Sequence, residues 1–469
     1  MNDSGSGRLV LTTTSISAFV TPFLSSAIAF AVPRIGVSFH LDFTQVALIP
    51  MIYLIPLASF MIFFGRISDN MGRVRIFRIG LVIFATSSIA ASFSSSYAFL
   101  IAMVFLAGLG SAVLSTNSTA IVSYVYSGGG RGFALGINAM SVYLGLTFAP
   151  FLGGILIEFS GWRSVFLFSG PVGFAALALS AYSMRNIEIR KSTAASGTAG
   201  PAFLAGTILS VTAYVAIGNV AGFLRSAYIL PVAAVFLILF MRYGTHGAGE
   251  AVPAEMLRGN RTFAASNLTA LLNYLSTFSI VFIFSIYLQV ILHVSPFMSG
   301  ILILPEPVLM VALSPVAGKL SDRFGSRYIA SAGMIIIGLA FLGLYFIHPL
   351  TRTDILILLG IIGTGFGLFS APNTNSVMGS VSRDSSGTAS GFLGTMRFTG
   401  QLFSIVLATA IISAYIPRSL TVGMFSGTVV TITSQYFNSF SEGFRAVMII
   451  SAILSLAGAG TSLLKNRGR

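Results

Sequence analysis

Gly65-Arg66-Ile67-Ser68-Asp69-Asn70-Met71-Gly72-Arg73 recurs in the chain as Gly318-Lys319-Leu320-Ser321-Asp322-Arg323-Phe324-Gly325-Ser326, at an offset of 253 residues. Each copy follows an apolar run long enough to cross a bilayer, and each time that run is the second of a block of six. Eight helix steps separate the copies, about 32 residues apiece, a normal length for one membrane helix and its loop; six steps would need about 42 residues each and leave long unexplained loops. The repeat therefore divides the chain into six helices, two helices and six helices. Parallel repeats about an axis along the membrane normal are an architecture of membrane transporters.

Composition identifies the solvent. Of 469 residues, 55% are hydrophobic and 8% charged, whereas a soluble chain needs about a quarter of its residues charged to cover its surface. The chain is expected to lie in a lipid bilayer, where backbone groups must be satisfied internally by helices or by a closed barrel. The apolar runs are long and do not alternate, which selects helices. The spans are expected at 9–32, 44–64, 76–94, 98–122, 132–157, 165–184, 202–223, 226–241, 262–292, 296–317, 328–347, 355–376, 387–416 and 444–464, with 417–443 a long polar loop. The first run is longer than a signal-peptide core and reads as a retained helix. Domain boundaries follow: an N-terminal six-helix bundle at 1–190, a linker with two additional helices at 191–250, and a C-terminal six-helix bundle at 251–469.

The formal net charge is +14, but the basic residues are scattered between apolar runs and form no single basic face, so nucleic acid is excluded as a partner. They obey the positive-inside pattern instead. With both termini in the cytoplasm, nineteen of the 26 Lys and Arg fall on the cytoplasmic side, six (Arg34, Arg163, Arg225, Arg352, Arg418 and Arg445) fall outside, and Arg397 lies within a span. A reporter fused after Arg469 is expected to score cytoplasmic and one inserted near Ser426 external; the reverse result would overturn the orientation. The chain has no cysteine, which removes disulfides, thiolate nucleophiles and Cys-ligated zinc. His40, His246, His293 and His348 are spread apart and suggest no metal site. No G-x-x-x-x-G-K-[ST] run is present, so ATP is not the expected energy source. Gly363, Gly365 and Gly367 lie in an apolar run and read as helix packing rather than a dinucleotide loop. No cofactor is implied.

The repeated segment is similar to the G-x-x-x-D-R-x-G-R pattern of the major facilitator superfamily. The first copy departs at Asn70 and the second at Ser326, where Arg323 and Arg327 supply the charge. Gly65 and Gly72, like Gly318 and Gly325, would allow a tight loop and close helix approach. Asp69 stands among Arg66, Arg73 and Arg75, and Asp322 holds the equivalent place. Such a cluster can latch the two halves on the cytoplasmic side and break when that side opens.

The fifth span carries Gly136, Gly145, Ala149-Pro150 and Gly153-Gly154. Positions 145, 149 and 153 form one small-residue face for close packing, and Pro150 can bend the helix. This resembles the fifth-helix pattern of the exporters of the superfamily, with Ala149 in place of a glycine and Gly161-Trp162-Arg163 following. Trp162 reads as an interface anchor. Arg258-Gly259-Asn260-Arg261-Thr262-Phe263-Ala264-Ala265 and Gly300-Ile301-Leu302-Ile303-Leu304-Pro305 resemble the fourteen-helix drug:proton antiporters, so the likeness spans nearly the whole chain. The resemblance implies an all-α integral membrane protein of the major facilitator fold, a multi-pass monomer of the cell membrane. It implies export of lipophilic or amphipathic small molecules by alternating access. Two departures leave proton coupling open: the first-helix aspartate of that family aligns with Leu24, and its fourth-helix arginine and glutamine with Val104 and Ala107. A lipid or metabolite carrier without proton coupling, and a receptor that moves no solute, are the alternatives.

Two charges fall mid-span. Glu306 is about eleven residues into the tenth span and Arg397 about ten into the thirteenth, which puts both near half depth at about 1.5 Å per residue. A central charge costs at least about 2.5–3.5 kcal/mol, so such residues face a cavity or a partner. Glu306 and Arg397 are expected to share the central cavity, with Glu306 as the proton or cation site.

Overall fold

The structure, a computed structural model, describes residues 3–126, 131–185, 187, 198–221, 223–243, 259–347, 349–381, 386–416 and 434–465. The first half contains α1 (Asp3–Phe39), α2 (Phe43–Met71), α3 (Arg73–Ser92), α4 (Tyr97–Val125), α5 (Arg131–Ser160) and α6 (Arg163–Ser183). Then come α7 (Ala199–Ala221) and α8 (Ile229–Tyr243). The second half contains α9 (Arg261–Ile291), α10 (Pro296–Ser321, helical on to Phe324), α11 (Ser326–Phe346), α12 (Arg352–Gly379), α13 (Ser386–Tyr415) and α14 (Ser434–Leu463). Two six-helix bundles with two additional helices between them are thus the architecture. Twelve of the described helices are long and apolar enough to cross a membrane, while α7 and α8 contribute shorter apolar stretches, Ala199–Tyr214 and Ile229–Tyr243. The starts are set by side chains that satisfy orphan N–H groups: Asp42 and Gln45 form a capping box on α2, Thr351 and Asp354 one on α12.

The two halves repeat down to individual close contacts. A Cβ on Gly110 of α4 would stand 2.6 Å from the Phe84 backbone nitrogen of α3, and one on Gly365 of α12 2.6 Å from the Gly333 carbonyl of α11. Gly145 of α5 abuts the Phe19 carbonyl of α1, and Gly400 of α13 abuts the Leu271 carbonyl of α9. Gly108 abuts the Tyr53 carbonyl of α2, and Gly363 abuts the Glu306 carbonyl of α10. Backbones approach this closely only where no side chain intervenes. Tyr53 and Glu306 are therefore counterparts, at the same 253-residue offset as the repeated motif. Helix α7 packs on α2 and α8, with Leu204 and Leu209 against the main core.

Several expected boundaries shift. The repeated segment is not a loop up to its last glycine: α2 runs to Met71 and α10 continues to Phe324. Gly65 and Gly318 are inside helices, Gly65 near Thr116 of α4; only Gly72 (φ +99°) and Gly325 (φ +87°) turn the chain. Helix α9 is broken after Thr277, where the Ser404 hydroxyl of α13 accepts the Ser279 N–H at 2.9 Å, and it ends in a π-turn at Tyr287–Ile291. Helix α10 breaks at Leu304, because Pro305 has no N–H to continue the ladder. The polar loop ends earlier than expected, since α14 already starts at Ser434. Phe440 and Phe444 stack on Tyr287 there, which holds the added turns against α9. Trp162 is not at the lipid face: it is 3% exposed, its indole N–H donates to Ser38 at 2.9 Å, and Arg163 lies over its ring at 4.4 Å.

Candidate functional site

A cavity of about 590 Å³ lies between the halves, walled by α1, α2, α4 and α5 on one side and α9, α12 and α13 on the other. Its wall reaches Asp69 and Arg73 at the end of the repeated motif. The opposite end is closed by contacts between the halves. There the Ser285 hydroxyl of α9 donates to the Ala29 carbonyl of α1 at 3.1 Å and Gln289 donates to the Phe30 carbonyl at 3.3 Å. The α5 backbone meets α10 beside them: a Cβ on Gly154 would stand 2.8 Å from the Pro296 carbonyl oxygen, and one on Gly300 would collide with the Pro150 carbonyl. The Thr147 hydroxyl donates to the Pro307 carbonyl at 3.2 Å.

The deep wall is a polar cluster drawn from four helices. The hydroxyls of Tyr143 (α5) and Ser370 (α12) are hydrogen-bonded to each other, and the Tyr274 (α9) hydroxyl stands beside both Tyr143 and Arg397 (α13). Arg397 stacks its guanidinium 4.6 Å from the Phe398 ring centroid and keeps a buried Nε–H without a partner. On the first half, Asn138 donates to Ser118 at 2.8 Å and Ser118 to the Thr14 carbonyl at 3.0 Å.

Arg397 is on the cavity wall, and Glu306 is not among the described lining residues. No ion pair joins them among the described residues, and the structure does not bring the two side chains expected to share a cavity onto one wall. The kink at Pro305 and the tight seat of the Glu306 backbone on Gly363 set the rotation of α10, and the carboxyl Oε2 is buried without a partner outside the cavity wall. Gly65, Arg66, Asp69 and Arg73 line the cavity mouth. Gly318, Arg323 and Gly325 do not, and the Asp322 side chain lies outside the described residues. Of the fifth-helix residues, Gly145 and Gly153 pack on α1, Ala149 is fully buried, and Pro150 and Gly154 meet α10. Gly136 has no neighbour within 4 Å of the point where a Cβ would stand and packs on no helix, because it faces outward from α5.

A sequence profile described as Major Facilitator Superfamily matches residues 14–405 and 268–467. The chain belongs to the major facilitator superfamily. This major facilitator is similar to the riboflavin transporter RibZ of Clostridioides difficile (strain 630), with 27% identity over 96% of both chains. It is also similar to the multidrug efflux pump LfrA of Mycolicibacterium smegmatis, with 24% identity over 93% of this chain and 91% of the other. Its fold matches that of a bacterial homolog of the human lysosomal transporter Spinster, solved inward-facing and unoccupied, at a TM-score of 0.66 and 17% identity over 98% and 97% of the two chains. It is thus a multi-pass membrane transporter, and its likeness to the drug:proton antiporters holds in its efflux relatives.

Asp69 accepts from Arg73 at 2.5 Å across the Gly72 turn, tying the end of α2 to the start of α3. Both are partly exposed, so the pair contributes no more than about 1 kcal/mol to stability. Asp69→Asn is therefore expected to leave insertion and melting temperature nearly unchanged while slowing transport, read as the initial rate in proteoliposomes. A wild-type rate would refute a latch role at the mouth.

Sequence reading missed the hydroxyl and amide network. In the first half, Tyr53 donates to the Thr21 carbonyl at 2.8 Å and shares a 2.6 Å hydrogen bond with Ser111; Leu24, Val104 and Ala107 are buried there as well. In the second half, Lys465 at the end of α14 is 2% exposed and donates to Asn373 Oδ1, on the cavity wall, at 2.9 Å. Burial pushes its ammonium from 10.5 down to about 7. The unfolded chain then binds more protons than the native one between these values, so stability rises with pH from about 7 towards 10. The melting temperature in detergent is expected to climb over that window, and Lys465→Met to flatten the climb; an identical pH profile for both would remove Lys465 as its source.

Proposed function

We propose that this major facilitator exports drug-sized amphipathic molecules from the cytoplasm by alternating access, with residues 1–190 and 251–469 as the two moving bodies and 191–250 carried beside α2. The observation that carries the reading is the large cavity between the halves, which reaches the Asp69 end and is closed by helix contacts at the other. Its volume of about 590 Å³ is within the range that accommodates drug-sized ligands. The basic-residue distribution favours the Asp69 end as cytoplasmic, and the LfrA likeness favours efflux. Proton exchange at Glu306 is the coupling step in this reading. The neutral Leu24 position favours the second reading, an uncoupled carrier. Whole-cell efflux of a fluorescent substrate with and without a protonophore separates them: collapse of efflux supports antiport, persistence supports the carrier, and no efflux in either case refutes export.

A further inference from the structure

We infer that the transported molecule is an anion, an aromatic or amphipathic acid whose carboxylate, sulfonate or phosphate docks on Arg397. The inference rests on the export reading above and specifies the substrate of the same cavity.

The charges on the cavity wall are unequal. Among the described residues its lining includes Arg66, Arg73 and Arg397 but one carboxylate, Asp69. That carboxylate sits at the mouth and is already held by Arg73. At the depth of Arg397 the other lining groups are neutral: Tyr143, Tyr274, Ser370, Asn373 and Thr374. A cationic substrate would meet the Arg397 charge there with no acid to compensate it. Like charges in a water-poor cavity repel strongly, since the local dielectric is far below that of water.

Arg397 is built to hold an anion. Its guanidinium lies over the Phe398 ring and beside the Tyr274 hydroxyl. A buried Nε–H remains without an acceptor. Arginine presents parallel donors that match a carboxylate or phosphate in pairs, and a pre-oriented fork loses little entropy on binding. The remaining wall suits an aromatic or thioether-compatible body: Met61, Phe369 and Met378 surround the polar cluster.

The test uses two xanthene dyes of similar size and opposite charge, carboxyfluorescein and a cationic rhodamine ester, titrated by fluorescence anisotropy into the purified full chain in detergent. Carboxyfluorescein is expected to bind at least about tenfold more tightly than the rhodamine. Arg397→Gln should weaken carboxyfluorescein by roughly 10–100-fold, as expected for loss of charge-assisted hydrogen bonds, Arg397→Lys should restore part of it, and neither should weaken the rhodamine. Tyr274→Phe, which removes the hydroxyl beside the guanidinium, supplies a milder variant if Arg397→Gln fails to fold by size-exclusion chromatography. Arg8→Gln, in the first turns of α1 and not on the cavity wall, should change nothing. Tight rhodamine binding, or carboxyfluorescein binding indifferent to Arg397, overturns the anion assignment and leaves export standing. Binding of neither dye also overturns the assignment, and the whole-cell efflux assay then decides export on its own.

Discussion

A valine at Gly300 is expected to open the sealed end of the transporter. Gly300 lies on α10 with its Cα against the Pro150 carbonyl of α5, and a Cβ there would collide with the carbonyl oxygen and stand 3.2 Å from its carbon. Both obstacles are backbone, so neither can turn aside. Overpacking of this kind costs about 1–3 kcal/mol, and the cost applies only in the state where α5 and α10 touch. A state in which these helices separate is free of it. The population ratio should therefore move by roughly 5–150-fold towards that state. The chain has no cysteine, so an introduced pair reports without background. Ala29→Cys with Ser285→Cys spans a 3.1 Å hydrogen bond across the seal and should cross-link readily in the parent. Cross-linking should fall sharply with Gly300→Val and with Gly154→Val, and should not change with Gly136→Ala, where the space is open. Undiminished cross-linking in a well-folded Gly300→Val protein would mean that this contact does not seal the far side.

The second large effect is expected at Glu306. Glu306→Gln should abolish the pH dependence of transport while leaving expression intact, measured as initial rate against pH in proteoliposomes. Its counterpart in the first half, Tyr53, satisfies its hydroxyl with the Thr21 carbonyl and Ser111. Glu306 has no such arrangement: one carboxyl oxygen is buried without a partner, in a helix whose backbone is seated on Gly363. An acid at half depth costs several kcal/mol when charged and alone, so binding or release of a proton there changes which packing of α10 and α12 is favoured. Glutamine keeps the shape and removes the exchange. A wild-type pH profile in Glu306→Gln would exclude the residue as the coupling site, and with Leu24 already neutral the uncoupled reading would then stand.

The span order, the six-two-six division and the uneven distribution of basic residues could be read from the chain because a bilayer makes that information local. Each span must be apolar over about 20 residues and satisfy its own backbone, so counting suffices, and the 253-residue repeat marks the halves by itself. Helix ends were less legible. The extra turns of α14 depend on Phe440 and Phe444 finding Tyr287, a residue on another helix. Composition and spacing likewise singled out Arg397 and Glu306 as costly, but not which way each one points.

Tertiary structure decided the site. Tyr143, Tyr274, Ser370 and Arg397 come from four helices and meet only because α5, α9, α12 and α13 are rotated to bring them together. Rotation about a helix axis is not encoded in the hydropathy of that helix. It is set by the places where backbones touch, such as Gly145 on Phe19, Gly400 on Leu271 and Gly363 on Glu306, and these contacts fix the angle within the width of a missing Cβ. The same contacts put Arg397 on the cavity wall, kept Glu306 off it and sent Lys465 to Asn373. A single helix in lipid can present any face at similar cost; packing against its neighbours selects one.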